Sequence, residues 1–370
     1  MEIDLEKERY CTRENIEGRL VKGINNLEDV SEVVSNNLDI QKFIPESYVR
    51  DPRNGKVIIY TPSRAKRPSE GVEISQEVKN GKCVICDGID ELPILMARDL
   101  DSKGPDGKPN VCFIGPNLFP HVGPQNLPYF NNSSKPSLQG AQYILWVSNQ
   151  HTDIDRMSYE DHATNLGLAS DFMKKLSKSE KKLFFQLVKN KGKVVGGSVI
   201  HGHYQGSALP FMSNKNLQDV QFEANNGQSF ANYILNENPE ELQIKDYGKV
   251  VSLVPGCAMK KPLDALVLPK DTSKANLYDL DNQERFELAS ALTDITKAWS
   301  VMMPRIGKEF AYNLESHLGS PGLYIEALPY TQETGGFENM DVFVCQSSPK
   351  LAADFYKETY DKLGLNKNER

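Results

Sequence analysis

Long apolar runs are missing from this chain: nowhere in its 370 residues is there a stretch of the about 18 apolar residues that reads as a membrane-spanning helix. Met1 to Tyr10 is acidic and polar, without the basic and apolar regions of a secretory leader, so a cytoplasmic setting with no membrane partner is expected. Positive charge is short too. The 43 Lys and Arg against 50 Asp and Glu leave a net charge of −7, which excludes the broad basic footprint of a nucleic-acid binder and favours small, locally held phosphate ligands. Six cysteines in so long a chain are too few for a disulfide framework. What remains, 39% hydrophobic and 25% charged residues, is ordinary for a folded globular protein with one large core or two medium domains.

His201-Gly202-His203-Tyr204-Gln205 concentrates the chemistry. In an extended strand, successive side chains point to opposite faces, so His201, His203 and Gln205 share one face while Gly202 and Tyr204 turn away. Just upstream, Asn190 to Ser198 is rich in glycine and donors, the composition of a loop whose backbone N–H groups approach phosphate oxygens. An imidazole beside a phosphate cradle points to attack on phosphorus.

Along the chain, residues 1–45 carry mixed charge and helical spacing (Leu20, Ile24, Leu27, Val30, Val33, Val34) and read as a helical N-terminal extension. Lys56 to Tyr60 reads as a strand after the turn at Asp51 to Gly55, and the basic Arg64-Ala65-Lys66-Arg67-Pro68 follows. Tyr143 to Val147 is a strand and Ser158 opens a helix to about Lys175. The order recurs: Ala265 to Leu268 is a strand, and Asp281 to Val301 a helix with Leu288, Leu292, Ile295 and Trp299 on one face. Two such units about 120 residues apart indicate a duplication, hence two related α+β halves. They are read as 46–212 and 246–370, with the polar 213–245 as connector. The second half has Leu323 to Ala327 where the first has its histidines, so the first half is expected to hold the site.

Cys83-Val84-Ile85-Cys86 needs two further donors to close a tetrahedral zinc site, and His151 and His201, both at strand ends, can supply them. A lone CxxC also fits a thioredoxin-like motif, although Asp87 to Glu91 reads as a loop and not as a helix start. His203 is then the imidazole left to act as nucleophile, with a nucleotidyl-histidine intermediate and ping-pong kinetics. Gln205 would donate to a phosphate oxygen, and Arg64 and Arg67 would neutralise a diphosphate. Taken singly, each feature has a plainer reading: HxH as a polar strand face, Arg64 to Arg67 as a surface turn, Asn117 as a turn residue. His121, His162 and His317 are read as structural.

In order, these motifs resemble the galactose-1-phosphate uridylyltransferase family, a branch of the histidine triad superfamily. Arg50-Asp51-Pro52 to Gly55, Arg64 to Pro68, Cys83 to Gly88, Asn117, His151, Asn190 to Gly192, Gly196 to Ser198 and His201 to Gln205 carry the resemblance, and Leu268 to Lys270, the Asp281 helix and Gly336 to Glu338 continue it more weakly. The resemblance implies two histidine-triad-like halves, each an antiparallel sheet with packed helices, the second degenerate, and a homodimer. It implies His203 as the uridylylated nucleophile, Gln205 on the phosphate, one structural zinc on Cys83, Cys86, His151 and His201, and nucleotide and phosphate contacts at Arg64, Arg67, Asn117, Asn190, Gly197 and Ser198. The family's HPHGQ stands here as HGHYQ, its second HxH with a further metal is missing at Leu323 to Ala327, and Glu333-Thr334-Gly335 replaces the lysine before its Gly-Phe-Glu stretch. The expected activity is transfer of UMP from UDP-glucose to a hexose 1-phosphate, galactose 1-phosphate first. The alternatives are phosphorolysis of a nucleoside diphosphate sugar or dinucleoside polyphosphate by the same histidine, and a zinc and nucleotide binder without turnover.

Overall fold

The computed structural model describes residues 11–37, 46–50, 57–60, 83, 85–86, 93–123 and 126–366. Two compact units divide the chain: unit 1 comprises 1–153, 164–185 and 198–211, and unit 2 comprises 154–163, 186–197 and 212–370. Among the described residues, no helix is long and apolar enough to cross a membrane.

Unit 1 opens with two short helices, α1 (Arg13–Gly18) and α2 (Leu27–Ser35), capped by the side chains of Thr12 and Asn26. Strands β1 (Ser47–Arg50) and β2 (Val57–Tyr60) form an antiparallel pair of their own. The main sheet of the unit runs in the order β3 (Met96–Lys103), β4 (Pro109–Pro116), β5 (Ala141–Trp146) and β7 (His203–Leu209), all antiparallel. β5 is buried on both faces, which is why it reads as a nearly unbroken apolar run. Its Tyr143 lies edge-on to Phe172 of helix α3 (Tyr159–Leu176), centroids 4.8 Å apart. On the opposite face, Ile144 and Trp146 join Ile94, Val111 and Phe113 in a cluster that also takes in Cys83 and Ile85. Helix α3 begins where its serine sits: Ser158 Oγ accepts the Asp161 N–H at 3.1 Å.

Directly opposed residues on paired strands share a face. His203 lies opposite Trp146 and Gln205 opposite Ile144, so both belong to the cluster face, whereas Tyr204, opposite Leu145, takes the other. Gly206 lies opposite Tyr143, and a Cβ there would stand 2.1 Å from the Tyr143 ring; only glycine lets that ring cross the strand.

Unit 2 is an antiparallel sheet in the order β6 (Phe184–Lys191, from Gln186 on), β11 (Tyr312–His317), β12 (Tyr324–Pro329), β10 (Ala265–Pro269), β9 (Val250–Leu253) and β8 (Gln243–Asp246). The polar 213–245 stretch folds into helices α4 (Asn214–Asn226) and α5 (Phe230–Glu237) followed by β8, because Ser213 and Ser229 each cap the N–H three residues on. Helix α6 (Asn282–Arg305) starts from a capping box of Asp281 and Glu284 and buries Leu288, Leu292, Ile295 and Trp299 completely. Trp299 Nε1 donates to the Tyr356 hydroxyl of helix α7 (Pro349–Leu363) at 2.6 Å. Strand, strand, strand, helix, strand, strand thus recurs along the chain: β5, α3, β6 and β7 return roughly 120–130 residues on as β10, α6, β11 and β12, and β3 and β4 roughly 140–150 residues on as β8 and β9, the order expected of a duplication.

Candidate active site and metal centre

Strand β7 begins at His203, and His201 sits in the bend before it, so the extended run is shorter than the alternation suggested. The bend is held by backbone: the Gly202 N–H donates to the Thr152 carbonyl at 3.0 Å, and the Val147 N–H donates to the Gly202 carbonyl at 3.1 Å. This brings His201 under the end of β5, beside Trp146, whose ring lies 5.7 Å from the His201 ring and 5.1 Å from that of His203.

Cys83, Cys86, His151 and His201 converge, each offering one donor atom, all within 4.8 Å of one another. His201 Nδ1 lies 3.5 Å from both sulfurs, and His151 Nδ1 lies 3.6 Å from Cys86 Sγ. A tetrahedral centre with metal–sulfur bonds of about 2.3 Å and metal–nitrogen bonds of about 2.0–2.1 Å holds sulfur and nitrogen donors about 3.5–3.6 Å apart. The observed spacings are those of ligands around an ion. His201 Nε2 donates to the Ser148 carbonyl at 2.8 Å, which leaves Nδ1 as the ligand nitrogen. The Cys86 side chain above all, then His151 and His201, hold the Cys83 thiol well below the usual thiol range, against the opposing effect of burial. Four protein donors fill a tetrahedral shell, so a metal here would brace the fold and bind no substrate.

His203 is 5% exposed, and its Nδ1 lies 2.8 Å from the His201 carbonyl. A carbonyl only accepts, so Nδ1 carries the proton and the lone pair sits on Nε2, the tautomer a nucleophile requires. The backbone of a metal-ligand histidine therefore sets the tautomer of its neighbour but one. Gln205, half-buried, follows on the same face.

No family model matches the chain. Among curated proteins, an ADP-glucose phosphorylase of Arabidopsis thaliana is 24% identical over 321 residues, 78% of this chain and 86% of the relative. Among solved structures, a uridylyltransferase superposes with a TM-score of 0.69 at 20% identity, over 85% of this chain and 99% of that one. The ADP-glucose phosphorylase of Arabidopsis thaliana with bound ADP-glucose gives 0.61 at 19% identity, over 85% and 99%. This chain has the fold of these two proteins. It is an α+β fold built on antiparallel sheet.

On that uridylyltransferase fold the remaining expected residues fall as follows. Asn117 is buried and its Oδ1 accepts the Phe119 N–H at 2.9 Å, closing a turn on itself. Ser198 is half-buried in the stretch leading to His201. Asn190 and Gly197 belong to unit 2, Asn190 on β6 and Gly197 just after the turn Lys193–Val195. That turn is bounded by Gly192 (φ 94°) and Gly196 (φ 89°), backbone conformations that only glycine adopts without strain. Set as its neighbours require, the Asn313 amide donates to Asn190 Oδ1 at 3.0 Å. Arg64 and Arg67 lie outside the described residues.

Tyr204, where the family has glycine, is buried away from His203 near Asp153, and burial first, then that carboxylate, pushes its hydroxyl well above the usual range. His162, as expected, is structural: its Nδ1 lies 2.7 Å from Thr293 Oγ1. Sequence reasoning missed the Ser148 and His201 carbonyls, since backbone groups have no residue signature. It also missed that His317 is the centre of a charge network: Nδ1 meets Asp219 at 2.7 Å and Nε2 meets Glu326 at 3.3 Å. Burial opposes charge on His317, but the two carboxylates outweigh it and raise its pKa.

Proposed function

We propose that this chain is a nucleotidyl-transferring enzyme that opens the diphosphate of a nucleoside diphosphate sugar through a covalent nucleotidyl-histidine on His203, with inorganic phosphate as acceptor. The observation that carries the reading is the His203 imidazole, buried against Trp146 with Nδ1–H committed to the His201 carbonyl. The Nε2 lone pair attacks the α-phosphorus; the N–P bond forms as the P–O bond to the sugar phosphate breaks, and a sugar 1-phosphate leaves with the electron pair. A phosphate oxygen then attacks the same phosphorus from the opposite side, the N–P bond breaks, and a nucleoside diphosphate is released. Gln205 donates to a non-bridging oxygen, where charge builds in both steps. Arg64, Arg67, Asn117, Asn190, Gly197 and Ser198 are proposed as nucleotide and phosphate contacts. Zinc is the proposed ion on Cys83, Cys86, His151 and His201, holding the His201 end of the strand; a homodimer is the proposed assembly.

Phosphate is placed ahead of a hexose 1-phosphate because the curated relative is a phosphorylase by name and because Glu333-Thr334-Gly335 stands where the uridylyltransferases carry a lysine. UMP transfer from UDP-glucose to galactose 1-phosphate is the second reading, favoured by the retained metal quartet and the HxHxQ run. The presence of both His203 and Gln205 speaks against a binder without turnover. Intact mass after mixing with ADP-glucose or UDP-glucose tests the covalent step: one nucleotidyl unit should be gained, and none by His203→Ala. Turnover with phosphate supports the first acceptor; turnover with hexose 1-phosphates alone supports the second. No mass gain and no exchange of labelled glucose 1-phosphate would overturn both.

A further inference from the structure

Unit 2 carries a cavity of about 300 Å³ whose lining includes neither His203 nor any proposed nucleotide contact, although Asn313 in its wall donates to Asn190 and Thr334 belongs to the Glu333-Thr334-Gly335 stretch that bears on the acceptor. The cavity stands at the place in the duplicated strand order where unit 1 has its histidine. Glu326 of β12 lies opposite Leu266 of β10, as His203 of β7 lies opposite Trp146 of β5, and both Glu326 and Leu266 line the cavity.

Its charges fall into two groups. On one side Lys215 Nζ bridges Glu315 and Glu326 at 2.6 and 2.5 Å, and His317 adds a second cation to Glu326. His317 also pairs with Asp219, so Lys215 and His317 serve Glu315, Glu326 and Asp219 between them, and Lys260 stands by Glu326 as a further cation. On the other side are Lys260 and Lys261, whose ammonium groups lie 5.6 Å from the Phe343 ring centroid and 5.9 Å from that of Tyr330. Lys261 Nζ donates to Thr334 Oγ1 at 2.9 Å and has no carboxylate within ion-pair distance among the described residues, and Lys260 reaches Glu326 only at 3.9 Å.

Between them sits Asp264, 4% exposed. Its Oδ2 accepts the backbone N–H groups of Lys260 and Lys261 at 3.1 and 2.9 Å, while Oδ1 is buried without any hydrogen-bond partner. Burial foremost pushes this carboxyl up to about 7. The residue before it, Leu263, is held at φ 69°, strain that a side chain as bulky as leucine rarely bears. A buried polar atom with no partner, in a cavity with two loosely held ammonium groups, is arranged for a ligand that brings both an anion and a hydroxyl.

We propose that unit 2 binds a small phosphorylated polyol, a sugar monophosphate, with its phosphate on Lys260 and Lys261, a hydroxyl on Asp264 Oδ1, and its ring against Tyr330 and Phe343. The volume lies at the low end for ligand pockets, which suits a monosaccharide and not a nucleotide. Two ammonium groups beside the cavity disfavour a metal cation. The inference does not rest on the reaction at His203.

Calorimetric titration of the intact protein with glucose 1-phosphate, glucose 6-phosphate, glucose and inorganic phosphate tests it, in wild type and in Lys261→Met, Asp264→Asn and His203→Ala. The expected result is saturable binding of a sugar monophosphate that His203→Ala retains and that Lys261→Met weakens about tenfold or more without lowering the melting temperature. Asp264→Asn should selectively weaken the sugar phosphates relative to phosphate. Inorganic phosphate binding as tightly as either sugar phosphate would overturn the polyol part. Binding lost in His203→Ala but unchanged in Lys261→Met, or no binding at millimolar ligand, would overturn the site.

Discussion

Removing the proposed metal should cost unit 1 much of its stability and slow the proposed chemistry at His203, by amounts that the contacts allow to be worked out. Cys83 is buried and belongs, with Ile85, to the cluster of Ile94, Val111, Phe113, Ile144 and Trp146, so the ion would tie Cys83 and Cys86 into the core and not to the surface. An ion that binds only the folded state at about a thousand times its dissociation constant contributes about 4 kcal/mol. For a unit of roughly 150–250 residues each kcal/mol moves the melting temperature by about 2–4 °C, so chelation should lower it by roughly 8–16 °C. The same chelation releases the His201 side chain from one of two anchors, the other being the Ser148 carbonyl, and loosens the carbonyl that fixes the His203 tautomer. Loss of a hydrogen bond worth about 1–1.5 kcal/mol should slow nucleotidyl transfer to His203 about tenfold.

Elemental analysis, thermal melts with and without chelator, and the rate of mass gain from a nucleoside diphosphate sugar measure all three effects on one preparation. Cys86→Ser should reproduce them, leaving three donors and less than one zinc per chain. If metal-free protein melts at the temperature of the loaded protein, or Cys86→Ser keeps a full complement of zinc, the four side chains do not form a structural centre. If stability falls but the mass gain keeps its rate, the coupling through the His201 carbonyl is wrong and the metal serves the fold alone.

Gln205→Ala should lower the rate of nucleotidyl transfer about 10²–10³-fold, the effect of losing one donor to an oxygen that gains charge, while substrate binding changes little; a loss confined to KM would refute that role. Tyr143→Phe removes a hydroxyl that is fully buried without a partner and should stabilise the protein by about 1–2 kcal/mol in denaturant unfolding; destabilisation would show that the hydroxyl is satisfied. For Asp264 the folded carboxyl titrates at about 7 against an ordinary 3.8, so the folded state holds its proton longer than the unfolded one and stability falls as pH rises between those values. Asp264→Asn should flatten that fall, worth a few kcal/mol at most, and an unchanged pH profile would mean that Asp264 is ionised in the fold.

Where the signal is local, the sequence was legible. The capped helices at Ser158 and Asp281, the β5 run from Tyr143 and the recurrence of strand and helix all appear in the structure near their expected bounds. The metal quartet was legible for another reason: cysteine and histidine are so sparse here that two of each, at element ends, leave few other combinations. The 213–245 stretch was opaque because its polar composition outweighed two serine caps that mark its helices. His317 was opaque because both its partners lie on other elements, Asp219 on α4 and Glu326 on β12, and no spacing along the chain connects them. Ser148 was beyond reach, since it acts through a carbonyl that any residue would supply.

The duplication also bears on why only one of two equivalent strand positions is proposed as a reactive centre. At the first position the His203 Nδ1 lies against the His201 carbonyl, which sets its tautomer. At the second, although burial alone would raise its pKa, His317 and Lys215 hold the Glu326 carboxyl well below the usual carboxylate range, so it stays ionised at any ordinary pH. A carboxylate whose lone pairs are engaged by two cations is a poor nucleophile, and its charge repels an incoming phosphate. Beyond that network, Lys261 has no carboxylate within ion-pair distance among the described residues, which favours holding an anion there over attacking it. On the two proposals, an imidazole with a braced backbone at one strand position serves covalent transfer, and a carboxylate inside a lysine and histidine network at the other borders a site for binding.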